Sequence, residues 1–245
     1  VKILLAPSEG KRSGGEGCFD PCALLFDALC PLREELLDLY EGILERGDPK
    51  ELQDLFGLKK PDQIARYARL YPRKAPVMKA VLRYDGVAFD ALDYPSLPPE
   101  AQSFVDGNLV IFSNLFGPLR AADRIPDYRV KQGVTIAGIA PEKRYREATS
   151  ALLDAWLAEE EILDLRAGFY DRFYKPSRAF TTMKFLKNGK VVSHWAKMWR
   201  GRMVREIALA KATNLDEVLA LPLEGMHLLE IQEKGKKREV IYEVE

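Results

Sequence analysis

Two apolar runs, about a hundred residues apart, constrain the fold of this chain more than any other feature. Val1-Lys2-Ile3-Leu4-Leu5-Ala6-Pro7 reads as a first buried strand, and Asn108-Leu109-Val110-Ile111-Phe112-Ser113 as another. Continuous apolar segments of this length, rich in β-branched residues, have no polar face to turn to solvent. Between them the spacing predicts helices over Cys22 to Cys30, Leu32 to Arg46, Pro49 to Phe56, Pro61 to Leu70 and Ala75 to Tyr84, each bounded by Pro or Gly. Gly86 is expected to stop the last of these. Buried strands spaced by helices predict an α+β (mixed α/β) fold in a single domain, residues 1–245, with a mixed sheet and an N-terminal helical section.

Further along, a helix is expected from Pro99 to Asp106, a short strand over residues 134–139, and an amphipathic helix from Arg144 to Ala158. Glu161 to Arg166 reads as a strand. Arg178 to Leu186 and Val191 to Trp195 pair around Asn188-Gly189, the strongest hairpin signal in the chain. A short helix over Asn214 to Leu221 and a closing hairpin around Lys234-Gly235-Lys236-Lys237 complete the pattern. No apolar run approaches the roughly 20 residues that span a bilayer, and the N-terminal run is too short for a signal peptide. These readings predict a cytoplasmic protein.

Net charge is zero, with 37 basic and 37 acidic residues, so bulk charge selects no partner. The distribution does. From Lys175 to Lys211 ten Lys or Arg face one acid, Glu206, a net +9 over 37 residues. Such a segment presents a local field to a polyanion while the whole chain stays soluble. At its centre, Ser193 to Arg205 predicts the start of a helix with two neighbouring faces. Trp199, Met203, Ile207 and Ala210 form an apolar stripe, while Lys197, Gly201 and Arg205 share a face beside Arg200. Gly201 costs a helix about 1 kcal/mol relative to Ala, so something is expected to approach its backbone: a phosphate, or the loop carrying Arg120.

The glycine-rich loop Ser8 to Gly17 carries Lys11 and Arg12, but Leu5 stands where a phosphate-binding loop needs its first glycine. The loop is therefore expected to cover a cleft rather than to cradle a nucleotide triphosphate. Cys18, Cys22 and Cys30 match no zinc spacing, and the two histidines, His194 and His227, are remote from them. Reduced structural thiols, no metal and no cofactor are expected.

Three segments together resemble the YaaA family of peroxide-stress proteins. They are Tyr84-Asp85-Gly86; Ser113-x-Leu115-Phe116-Gly117-x-Leu119-Arg120-x-x-Asp123-x-Ile125-Pro126-x-Tyr128-Arg129; and Ser193-x-x-x-Lys197-x-x-Arg200-Gly201-x-Met203-x-Arg205. Pro7 to Lys11 and Gly225 to Leu228 are similar to that family's first loop and closing strand. The chain departs from the commoner pattern at Ala121-Ala122 and at Ala167 to Tyr170. The resemblance implies a family-specific fold with a positively charged cleft, and DNA binding tied to oxidative stress and DNA repair. It also implies a helix-hairpin-helix element, for which Leu115 to Leu119 is the first choice and Leu55 to Leu58 the second.

Two readings follow. In the first, a monomer binds duplex or junction DNA without sequence preference. Lys11, Arg120, Arg129, Lys197, Arg200, Gly201 and Arg205 contact phosphates along one concave wall, and Ser8, Tyr84, Asp85, Gly86, Ser113, Gly117, Asp123, Tyr128 and Ser193 shape the cleft. In the second, an enzyme acts on a nucleic acid or nucleotide in the same cleft, with Lys197 and an aspartate working as in lysine-based base excision. An iron-limiting role has no metal-ligand spacing behind it.

Overall fold

The computed structural model describes residues 1–192 and 195–245; Ser193 and His194 lie outside them. Its strands are β1 (Lys2–Leu5), β2 (Gly10–Lys11), β3 (Val77–Lys79), β4 (Tyr84–Asp85), β5 (Leu109–Ser113), β6 (Gly117–Arg120), β7 (Arg124–Pro126), β8 (Ile162–Asp164), β9 (Phe180–Lys187), β10 (Lys190–Val191), β11 (Met226–Lys234) and β12 (Lys237–Val244). The helices are α1 (Cys30–Arg46), α2 (Pro49–Phe56), α3 (Pro61–Ala68), α4 (Ala80–Arg83), α5 (Val87–Leu92), α6 (Pro99–Asn108), α7 (Pro141–Trp156), α8 (Trp195–Ala210) and α9 (Leu215–Leu219).

The large sheet runs β11-β12-β9-β8-β1-β5-β6, with β10 paired to β9. Its central strands β12, β9, β8, β1 and β5 are parallel, and antiparallel partners close both edges. This is the mixed sheet expected of the sequence. Ile3, Leu4, Leu5, Val110, Ile111 and Phe112 are essentially inaccessible, as strands covered on both faces must be. The long separations between β1, β5 and β8 follow from their parallel pairing, because each return crosses over through helix.

In α1 the stripe Leu36, Leu37, Tyr40, Ile43 and Leu44 faces the core, and Gly47 ends the helix in the left-handed region. Asp48 caps α2 by accepting from the Lys50 and Glu51 N–H groups. Two buried arginines tie irregular chain to this frame. Arg33 donates to the carbonyls of Pro21, Leu25, Phe26, Phe116 and Pro118. Arg83 donates to those of Arg12, Gly14, Pro76 and Ile125, and so holds the glycine-rich loop.

Several expectations are corrected. Residues 77–85, read as helix, form β3, the single turn α4 and β4, and Gly86 precedes a helix rather than ending one. Leu115 to Leu119 is no helix-hairpin-helix: it is the turn and second strand of the β5–β6 hairpin, wholly buried. Leu55 to Leu58 does join two helices, α2 and α3, through Gly57 in the left-handed region. Cys22 is exposed in a turn instead of buried on a helix, and it is disulfide-bonded to Cys30, not a reduced thiol. No helix among the described residues is long and apolar enough to cross a membrane.

Candidate functional site

In parallel sheets, ligands bind beyond the carboxyl ends of the strands, where neighbouring connections leave in opposite directions. Here that place is the carboxyl end of β1, whose parallel neighbours β5 and β8 lie on either side. A cavity of 380 Å³ opens there, walled by the loop Leu5 to Glu9 after β1, by Gly86 to Phe89, and by Leu165 and Ala167 after β8, with Tyr170 also lining it. Lys197 and Arg200 from α8 close its side. Those two residues and Ala167 also line a wider groove of 860 Å³ that runs over β9 and the β11–β12 turn.

Close packing of α8 on α5 puts Lys197 and Arg200 at this junction. A Cβ on Gly201 would lie 1.9 Å from the Ala88 carbonyl oxygen, so only glycine permits the approach. The group that comes close to Gly201 is neither a phosphate nor the Arg120 loop but the backbone of α5. Trp199, Met203 and Ile207 are buried as expected, joined by Val204 and Ala208, while Ala210 is exposed.

The groove is lined by eight basic and three acidic side chains. Arg166 is consumed by Asp164 at 2.7 Å, and Lys234 and Lys237 share Glu239. Among the described residues, Lys175, Lys184, Lys197 and Arg200 have no ion-pair partner. Arg200 is partly desolvated, which pulls its pKa down against the pull of Asp164; a guanidinium stays charged regardless. Lys175 and Lys184 did not stand out in sequence. The signal was the period-2 alternation of β9: Thr181, Met183 and Phe185 are buried, so Lys184 belongs to the more open face.

The other expected phosphate ligands are differently placed. Lys11 is 6 % exposed, its ammonium donating to the Ser8 and Glu9 carbonyls and lying 4.0 Å from the Tyr128 ring centroid. Desolvation lowers its pKa to about 7, opposed by Asp127. Arg129 donates to the Phe56 carbonyl at 2.8 Å and to the Glu9 carboxylate at 3.0 Å. Arg205 staples α8 to the end of α5 through the Leu92 and Asp93 carbonyls and Ser96 Oγ. Arg120 lies at the opposite, amino end of the parallel strands, beside Lys2 and bonded to Asp123. One concave wall does not contain all of these cations.

Of the residues expected to shape the cleft, Ser8 and Gly86 line the small cavity. Tyr84, Ser113 and Tyr128 form a buried hydroxyl chain beneath it. Ser113 Oγ accepts from the Leu115 and Phe116 N–H groups and so donates to Tyr128 at 2.7 Å, which reaches Tyr84 at 2.9 Å. Burial raises the pKa of both tyrosines. Gly117 packs against Tyr145, Asp85 faces Arg12, and Asp123 caps the loop after β6. Among the described residues no carboxylate forms an ion pair with Lys197; the aspartates that share its groove, Asp164 and Asp171, lie against Arg166. The Cys22 and Cys30 sulfurs and a Glu34 oxygen lie within 4.8 Å of one another. The sulfurs are bonded to each other and Glu34 is bonded to Arg73, so this trio offers a metal no ligand set in its present state.

Residues 1–231 match the family model described as Peroxide stress protein YaaA. The uncharacterized protein Cj0984 of Campylobacter jejuni is 42% identical over 248 residues, covering 100% of this chain and 99% of its own. The UPF0246 protein CE1889 of Corynebacterium efficiens is 36% identical, covering 96% of this chain and 97% of its own. The UPF0246 protein SCO2297 of Streptomyces coelicolor is 33% identical over 84% of this chain and 82% of its own. The match covers nearly the whole chain and takes in the glycine of α8 that admits the α5 backbone: this chain belongs to the peroxide stress protein YaaA family.

Proposed function

We propose that this protein binds DNA without sequence preference and does so in the response to peroxide stress, supporting protection or repair. The family's name supports the stress role. The observation that carries the binding role is the groove beside α8, where Lys175, Lys184, Lys197 and Arg200 stand without carboxylate partners among the described residues, in a chain of zero net charge. Unpaired cations on one concave wall are what phosphate contact requires, because paired ones must first give up a carboxylate. The cytoplasm is the proposed site of action.

Titration of labelled duplex, bubble and junction DNA across salt concentrations tests this reading. Binding weakens linearly in log-log form, and each cation replaced by alanine lowers the slope by about one unit. Affinity that ignores salt, or a slope unchanged in the Lys197→Ala/Arg200→Ala double variant, would overturn it.

A further inference from the structure

We propose that the 380 Å³ cavity is a nucleotide pocket, receiving a single base and its sugar turned out of the strand that lies in the adjoining groove. The inference rests on the DNA-binding reading and adds to it what the cavity takes. Continuity is the first support: Ala167, Lys197 and Arg200 line both spaces. A strand tracking the basic groove passes the cavity mouth, with two cations there for the flanking phosphates.

Size is the second. Small-ligand pockets span about 300–1,000 Å³, and this one lies near the lower bound, which admits one nucleotide unit and excludes a duplex. Its walls are also fixed: a Cβ on Gly86 would come within 2.7 Å of Ser8 Oγ, and Ser8 Oγ donates to the Asp85 carbonyl.

The chemistry of the lining is the third. Leu5, Pro7, Phe89 and Leu165 supply apolar surface for the faces of a base. Polar groups gather at one edge. The Gln132 side-chain amide has no hydrogen-bond partner among the described residues and offers both donor and acceptor. Glu9 is oriented by Arg129 at 3.0 Å and by the Gln132 N–H at 3.1 Å, which leaves further lone pairs to accept from an exocyclic amino group. A carboxylate beside a polyanion is normally repelled; here the Arg129 guanidinium compensates it. An apolar slot with hydrogen-bonding groups along one edge is how an extruded base is read. Bases that carry an amino group are favoured over thymine.

The test uses 2-aminopurine, whose fluorescence rises when it leaves the stack, placed in a bubble within otherwise duplex DNA. Binding is followed separately by anisotropy. The expected result is a several-fold rise in fluorescence on binding. Val87→Trp, at an exposed position that lines the cavity but not the groove, fills the pocket and abolishes the rise while anisotropy still reports binding. Gln132→Ala, at an exposed position where folding is not at risk, lowers the extruded fraction about fivefold, as expected for one neutral hydrogen-bonding group. DNA bound with no fluorescence rise overturns the pocket and leaves the groove standing; no DNA bound at all overturns the groove reading instead. Free deoxynucleoside monophosphates form the last arm. Calorimetric binding that Val87→Trp blocks, without any rise in DNA, overturns extrusion from a strand and assigns the pocket to a free nucleotide.

Discussion

The two ends of the parallel strands are both lined with basic residues, and of the two it is the carboxyl end that leaves part of them unpaired. At the amino end, Lys2, Arg120 and Arg124 surround a cavity of 770 Å³. Lys2 bonds the Gly107 carbonyl and Asn108, Arg120 bonds Asp123, and Arg124 reaches the Glu16 and Val77 carbonyls. At the carboxyl end, Lys175, Lys184, Lys197 and Arg200 line a groove with no acid bound to them among the described residues. A count of cations does not distinguish the ends; the partners do. Paired cations hold loops, and unpaired ones are available to a polyanion.

Unseating α8, which carries Lys197 and Arg200, is expected to have the largest effect on this difference. Gly201→Ala drives a methyl into the Ala88 carbonyl at 1.9 Å, and backbone on both sides leaves no flexible end to yield. The cost is expected to exceed the usual overpacking range of about 1–3 kcal/mol. Thermal denaturation and DNA binding report it together. A variant of unchanged Tm would mean that α8 can slide on α5.

Lys11 is a third kind of cation, buried at the carboxyl end and bonded to loop carbonyls. Its pKa is depressed to about 7 in the fold against 10.5 when unfolded. Between those values the unfolded chain binds the extra proton, so stability rises with pH from about 7 toward 10. Below about 7 the fold carries the penalty in full. Above about 10 the trend reverses, because the buried tyrosines, including Tyr84 and Tyr128, have raised pKa values and resist ionisation that the unfolded chain accepts. Chemical denaturation at pH 6, 8 and 9.5 follows the gain, on the order of 2–3 kcal/mol. Lys11→Met is expected to flatten this window; a window that persists in Lys11→Met would assign it to another group.

Much of this was legible in the chain because it is local. The buried strands, the Asn188-Gly189 hairpin and the apolar stripe of α8 are read within a few residues, and pattern resolves them. What could not be read is pairing at a distance. Arg205 looks like a phosphate ligand until its partners are seen 112 and 113 residues away, and Arg129 until Glu9 is brought to it. Residues 77–85 escape the pattern because their apolar spacing fits a helix as well as two short strands split by a single turn, and only pairing with β7 and β2 decides. Lys184 lay within the basic segment, but its exposure depends on which face of β9 meets the core.

For DNA binding the contrast becomes a matched pair of variants. Lys197→Ala/Arg200→Ala is expected to lower the salt slope by about two units and to weaken binding at moderate salt by roughly 2 kcal/mol. Arg120→Ala is expected to leave the slope unchanged, since its guanidinium serves Asp123. Equal losses in the two variants, measured by anisotropy titration, would erase the distinction between the ends.

The smallest effect lies at the amino end and runs the other way. Gly107 sits in the last turn of α6, where a methyl added at its Cα would meet nothing within 4 Å, unlike Gly201. Replacing it by alanine restricts the unfolded chain and favours the helix, so Gly107→Ala is expected to stabilise the protein by about 0.4–1 kcal/mol. DNA affinity should not change, because the Lys2 bond is to the Gly107 carbonyl, which remains. Two helical glycines, one per end of the sheet, thus carry opposite signs: where α8 meets α5 the missing Cβ is required by a neighbouring backbone, and at Gly107 nothing requires it. Destabilisation by Gly107→Ala would show that the amino end is as tightly constrained as the carboxyl end.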